Sequence, residues 1–466
     1  MIAGLTELLF SDRISINKPL FTMNQESLNT TPVVPITLDK ATSLLLSHAF
    51  SGAIGPTAGK GVIYSLMAQD AQIFTFSVAL EGDDDPSKPI DRYRVVVDRS
   101  SGGIRAAELI VLTECQLAEA VLNATGHHLA TFSRFTDGLL SISYKVSVQE
   151  NTDFEYVVQL RHHGDVASMN TLMQHVSPIL PVPPVYPISK EREKQKETGM
   201  GLQITQFVPG IMGNDAYHRM SHTQRLVLIE RLAVAFDALW SLSLPTEPLI
   251  GELKAIHDKD GGVVLTVGPD RYNSLGGPFS SITDYLRAYI RTRLQQLTKK
   301  DGIDEYKTQY LPLLTAFVDA GIHSIPAVVE EVPIVVLHQD MGLHNIILSS
   351  DDPTTVKAII DWEFCASAPY PSIHPVIERF FRMKAMNGFG TEYPHAEELR
   401  RTFWDAIPKW KELNQSEAVK TFMEWFRFGM FMVPEWRPDD LGEGEKKEYW
   451  AENVRVVEEI LKKYRP

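Results

Sequence analysis

The chain has 466 residues, 44% of them apolar and 22% charged, which is the composition of a soluble globular protein with room for two or three domain-sized units. A net charge of −14 argues against a nucleic-acid or anionic-membrane partner, because either requires a broad basic face. Two cysteines, Cys115 and Cys365, make no disulfide framework and are expected to be reduced.

The first ten residues are apolar but include Glu7 and lack a basic head, so they make a poor secretory signal. No run reaches the roughly 18 apolar residues that cross a bilayer, and a cytoplasmic protein is expected. Residues 1 to about 36 carry scattered Pro, Asn, Ser and Thr without a period and read as a tail or a docked arm. Residues 37–50 read as a helix, with Leu38, Ala41, Leu44, Leu45 and His48 at helical spacing and Thr37 or Asp39 as caps. Residues 52–61 fail as a phosphate loop, since Ile54 stands five before Gly59 and Gly61 follows Lys60 where Ser or Thr is required; they predict a turn. Residues 73–80 and 94–97 predict strands, separated by an acidic turn at 83–88, and residues 106–124 predict a helix closed by Gly126. All of this, to about residue 125, is read as an N-terminal extension.

Residues 135–146 predict a hairpin containing Gly138 and Ser141. Residues 156–161 predict a strand on which Gln159 and Arg161, two apart, share a face. The helix expected around 168–175 contains no glutamate, the proline-rich run 180–186 leads onward, and the mixed charges of 190–197 predict a solvated loop. Residues 203–207 predict a strand ahead of Pro209 and Gly210. The remainder reads as mostly helical, with helices at 224–240, 282–297, 310–318, 396–407 (ended by Pro408), 418–431 and 446–464. Pro369, Pro371 and Pro375 predict an irregular loop over 366–375, near an acceptor site.

The stretch from Ile334 to Glu363 carries the chemistry. A short β-branched run leads into His338-Gln339-Asp340-Met341-Gly342-Leu343-His344-Asn345, and two further apolar runs flank a turn at 349–353 before Asp361-Trp362-Glu363. Strand, loop and hairpin together would hold Asp340, Asn345 and Asp361 at the ends of rigid strands. Phosphoryl transfer needs one carboxylate to orient an attacking hydroxyl and accept its proton, with an amide oxygen and a second carboxylate to hold magnesium, and the spacing H-x-D-x-x-x-x-N fits that task. The fourteen histidines show no His-Glu-x-x-His spacing and the cysteines no Cys-x-x-Cys, so no zinc site is predicted; a Gly-x-Ser-x-Gly elbow is also absent.

At residues 337–348 and 359–363 the chain resembles the aminoglycoside phosphotransferase family, which includes choline-kinase-like small-molecule kinases. The resemblance implies an α+β, two-lobed protein-kinase-like fold, with an antiparallel sheet in the small lobe and a mostly helical large lobe. It divides the chain into the extension (1–125), a small nucleotide-binding lobe (126–208) and a large catalytic lobe (209–466). It further implies ATP and Mg2+ as cofactors and a small-molecule acceptor, with no nucleic acid or membrane as partner. Carried over by position, Asp340 is the catalytic base, Asn345 and Asp361 are the magnesium ligands, and His338, Trp362 and Glu363 support the loop. Gly138 and Ser141 fall on the phosphate-covering hairpin and Gln206 next to the adenine hinge. Gln159 stands where the family carries Lys or Arg, so the nearby Arg161 would have to supply that charge. Because the following helix also lacks the usual glutamate, a kinase-fold binding or scaffold protein without catalysis is the second reading.

Overall fold

The computed structural model describes residues 62–69, 73–80, 92–98, 104–109, 111–135, 141–150, 154–161, 164–245, 247–383, 390–434 and 450–464; in the first four stretches side chains are described only at 95–97. The helix expected at 37–50, the turns at 52–61 and 83–88, and Gly138 lie outside these residues. In chain order the first elements are β1 (Val62–Gln69), β2 (Ile73–Leu80), β3 (Arg92–Asp98), β4 (Ile104–Leu109), α1 (Glu114–Thr125), β5 (Leu129–Arg134), β6 (Ser141–Val148) and β7 (Glu155–Arg161). Then come α2 (Val166–Val176), α3 (Glu191–Thr198), β8 (Gly201–Gln206), β9 (Ile211–Met212), α4 (Gly213–Tyr217), α5 (His222–Trp240), β10 (Gly251–His257) and β11 (Val263–Gly268). The last are α6 (Ile282–Lys299), α7 (Asp304–Ala320), β12 (Ile334–His338), β13 (Ile346–Leu348), β14 (Val356–Ile359), β15 (Cys365–Pro369), α8 (His374–Glu378), α9 (Ala396–Asp405), α10 (Pro408–Leu413), α11 (Glu417–Met432) and α12 (Ala451–Lys463). They fall into two compact units, one holding the described residues up to Ala167 together with 185–207, the other holding 168–184 and the described residues from Val208 onward.

The first unit contains two antiparallel sheets, β1-β2-β3-β4 and β5-β6-β7-β8. Alternation in Ser141-Ile142-Ser143-Tyr144-Lys145-Val146-Ser147-Val148 buries every second side chain of β6, because successive strand residues point to opposite faces. Ile142, Tyr144, Val146 and Val148 meet Tyr156, Val158 and Ile204 under Leu117, Ala120 and Val121 of α1. A Thr113–Gln116 capping box starts α1 and left-handed Gly126 (φ 75°) ends it. The helix predicted from residue 106 therefore begins only at Glu114: residues 106–109 lie in β4, paired to β3 through Val96↔Ala106 and Val95↔Ala107. The expected loop at 190–197 is helix α3, whose Glu191 is buried and accepts from Leu202 N, while Gln195 bonds Val166 N (3.0 Å) and Gly164 O (2.8 Å). One inward carboxylate and one inward amide give this highly charged helix a docked face that composition hides.

The second unit is dominated by helices packed around two small sheets, β11-β10-β15-β12 and β14-β13-β9. Phe236 and Trp240 of α5 pack with Tyr370, Phe380, Phe403 and Trp410, and Tyr289 of α6 stacks on Phe426 of α11 at 4.7 Å. The hairpin β10–β11 went unread in the sequence, and residues 366–369 are strand, not loop: β15 lies between β10 and β12 with Val336↔Ser367 and Leu337↔Ala366 in register. Its prolines sit where they do no harm, Pro369 at the strand end and Pro371 and Pro375 in first helical turns. Pro408 does not only follow α9; it opens α10. The remaining predicted helices and the strand–hairpin pattern of 334–359 are found, the last helix over Ala451–Lys463 with 446–449 outside the described residues, so the expected α+β class is the observed one. Both cysteines are free thiols, and among the described residues no helix is long and apolar enough to cross a membrane.

Candidate active site

Strand β12 is buried over most of its length and delivers a tight turn at its end: Met341 N donates to His338 O (3.1 Å), Gly342 N to Asp340 O (2.7 Å) and Asn345 N to Gly342 O (2.9 Å). Within that turn the side-chain nitrogen of Asn345 donates to both Oδ2 and the backbone oxygen of Asp340, each at 2.9 Å. Two acceptors on one residue fix which way the amide points, with its nitrogen towards Asp340. Asp340 Oδ1 accepts no hydrogen bond although His344 Nε2 lies 3.1 Å from it. Glycine at 342 makes room for that imidazole, because a Cβ there would sit 2.6 Å from His344 Cε1.

His338 is 1% exposed and its Nε2 donates to Ile360 O at 2.9 Å, so that nitrogen carries the proton. Burial pushes its pKa down, opposed by the Ile360 bond and by the carboxylates of Asp340 and Asp361. Both acids therefore act on the same imidazole. The indole of Trp362 packs edge-on against that ring (5.1 Å) and donates to Ile359 O at 2.8 Å. Ile360 N donates to Asn345 O at 2.9 Å, which joins the 338–345 turn to the end of the β13–β14 hairpin one residue before Asp361. Asp361 itself is left-handed (φ 61°, ψ 57°), a conformation that aspartate tolerates better than most side chains and that marks the point where the strand breaks. Glu363 is half-buried in the short 3-10 turn that follows.

The residues expected to meet a nucleotide lie in the other unit. Register pairs Ser141↔Arg161, Ser143↔Gln159 and Gln159↔Gln203, so these polar side chains occupy one sheet face. Arg161, 3% exposed, donates through Nη2 to Gln159 Oε1 (2.8 Å) and through Nε to Gln203 Oε1 (3.0 Å). Gln159 Nε2 continues to Ser143 Oγ (3.2 Å), which lies 3.1 Å from Ser141 Oγ. Gln206, half-buried, closes β8 opposite Tyr156. Sequence reading missed Ser143, Gln203 and His344. Alternating polar residues in Ser141-x-Ser143 and Gln203-x-Thr205 were the available signal for the first two; His344 stands four residues after Asp340. Among the described residues no group of three His, Cys, Asp or Glu side chains gathers as a metal cluster.

No curated protein sequence matches the chain. Solved structures similar to it include a thermostable mutant of aminoglycoside phosphotransferase APH(4)-Ia in ternary complex with AMP-PNP and hygromycin B (14% identity, TM-score 0.44, covering 74% of this chain and 98% of that one). Others are the streptomycin–ATP–APH(2")-IIa ternary complex (11% identity, TM-score 0.43, 75% and 97%) and the GDP complex of wild-type aminoglycoside 2'-phosphotransferase-IIIa (11% identity, TM-score 0.42, 75% and 98%). The family model of the phosphotransferase enzyme family matches residues 131–370, more than half of the 466 residues and inclusive of the whole turn from His338 to Asp361. With that match over these residues, the chain belongs to the phosphotransferase enzyme family.

Proposed function

We propose that the protein is a cytoplasmic, ATP- and magnesium-dependent phosphotransferase acting on a hydroxyl of a small molecule. Asp340 orients that hydroxyl and takes its proton as the oxygen forms a bond to the γ-phosphorus and the bond to ADP breaks. The observation that carries this reading is the double donation of Asn345 to Asp340, which leaves the Asn345 oxygen as a hard donor beside a base whose Oδ1 is unbonded. Asn345 and Asp361 would hold magnesium, which when bound neutralises charge on the phosphate oxygens. Gly138, Ser141, Gln159, Arg161 and Gln206 are assigned to the nucleotide, and His338, Trp362 and Glu363 to support of the turn. Residues 126–208 act in this reading as the nucleotide lobe and 209–466 as the catalytic lobe, with 1–125 an extension.

Asp340→Asn keeps the size of the side chain but removes its basicity. ADP production from ATP and magnesium, with polyhydroxylated small molecules as acceptors, should fall by about 10²-fold or more, while nucleotide binding stays intact. An unaltered rate sinks the proposal. A second reading, a kinase-fold scaffold without turnover, is favoured by one observation: the Arg161 guanidinium is bonded to Gln159 and Gln203, and α2 offers no glutamate to pair with it.

A further inference from the structure

Residues 249–273 touch three segments of the catalytic unit. Strand β10 pairs with β15 through Gly251↔Ser367 and Glu252↔Ala366, and Ser367 Oγ donates to Leu249 O at 2.6 Å. Ala255 N of the same strand donates to Ser168 Oγ at 2.8 Å, which holds the buried start of α2. Beyond β11 the chain turns on Asp270, 4% exposed, whose carboxylate accepts from Asn273 N (2.7 Å) and Nδ2 (3.0 Å). Asn273 Nδ2 also donates to Gln339 Oε1 at 3.2 Å, and the neighbouring Tyr272 ring lies 4.2 Å from that of Phe364. Gln339 and Phe364 are joined in turn, Gln339 N donating to Phe364 O at 2.9 Å. Gln339 sits between His338 and Asp340, and Phe364 is three residues past Asp361. A bidentate Arg271–Glu252 pair (2.6 and 2.5 Å) ties the turn back onto β10.

We propose that this strand and turn form a brace for the reaction, in which Asn273 and Tyr272 are positioning residues that lock the Gln339 and Phe364 backbones and so hold Asp340 in register with Asp361. The brace also fixes α2 through Ser168, a helix with no glutamate for the ion pair that would otherwise anchor it. The Asp270–Asn273 pair makes the contact stiff: buried on one side and bonded twice, the asparagine has little freedom to turn away from Gln339.

The inference rests on the phosphotransferase reading, and two measurements keep the two apart. Asn273→Ala and Gln339→Ala remove the same bond from opposite ends, so either serves should the other fail to fold. Each should lower kcat for ADP production about tenfold with the KM for ATP within about twofold, and the double variant should be no slower than either single one. Amide hydrogen exchange in peptides covering 337–345 and 361–366 should quicken in both. Additive losses in kcat, or exchange equal to wild type in those peptides, overturn the brace. A wild-type protein without turnover overturns phosphotransfer instead, and exchange alone then decides the brace.

Discussion

The Asn345 side-chain nitrogen donates to two oxygens of Asp340, and that pair of bonds defines the turn more tightly than the spacing of the acids does. The sequence pattern exposes His338, Asp340 and Asn345 but treats the residues between them as interchangeable. Gly342 and His344 are coupled here, since with the ring 3.1 Å from Asp340 a Cβ at 342 would sit 2.6 Å from His344 Cε1 and the ring would have to shift. Side-chain contacts of this kind depend on the turn's conformation, which the spacing alone does not state. Buried imidazoles supply a prediction at the same scale. His374, between Tyr370 (5.6 Å) and Trp404 (5.1 Å), has its pKa pushed down to about 3 by burial. Its unfolded value is about 6.5, so below that pH the unfolded chain binds the extra proton first. Stability contributed by the neutral ring is complete above pH 6.5 and is lost on acidification towards 3, at up to about 1.4 kcal/mol per pH unit. His338 shifts in the same direction. His374→Phe keeps the ring packing and cannot titrate, so urea unfolding at pH 7, 6 and 5 should show a flatter decline than wild type.

At the level of elements, periodicity found the longer helices of the second unit but not the short ones at 213–217, 374–378 and 408–413, nor what fastens them. Helix α6 shows how: its first amides, Ile282 N and Thr283 N, donate to Glu330 at 2.8 and 2.9 Å, a cap reaching 48 residues along the chain. A carboxylate at a helix N-terminus answers both the unpaired amides and the dipole. Glu330→Ala should cost about 1–2 kcal/mol, measured as a lower urea midpoint with an unchanged m-value. No local signal marks Glu330 as a cap, because the signature applies only to residues adjacent to the helix. The β10–β11 hairpin escaped for a related reason, since Leu253, Ala255 and Leu265 are buried inside a sheet whose other members lie some hundred residues on. By contrast the hairpin of β13 and β14, local and turn-delimited, was legible directly.

For the molecule as a whole, the acidic total of −14 makes a bound polyphosphate costly unless cations accompany it. ATP with magnesium should therefore raise the unfolding midpoint, by about 2.7 kcal/mol of stability at a hundredfold excess over Kd, while ATP with EDTA should raise it far less. An equal shift without the metal would remove magnesium from the reading.

The chain passes between its two units at 167/168, 184/185 and 207/208. Neither unit is a continuous stretch of polypeptide, so during synthesis the β5–β8 sheet cannot finish until Phe207 has left the ribosome, although its first strand emerged long before. Pro181 must likewise wait for Ile359, whose amide its carbonyl receives at 2.8 Å two residues before Asp361. The end of β14 is thus closed late, over a long loop, and a nascent chain halted anywhere between those residues carries an unmet carbonyl.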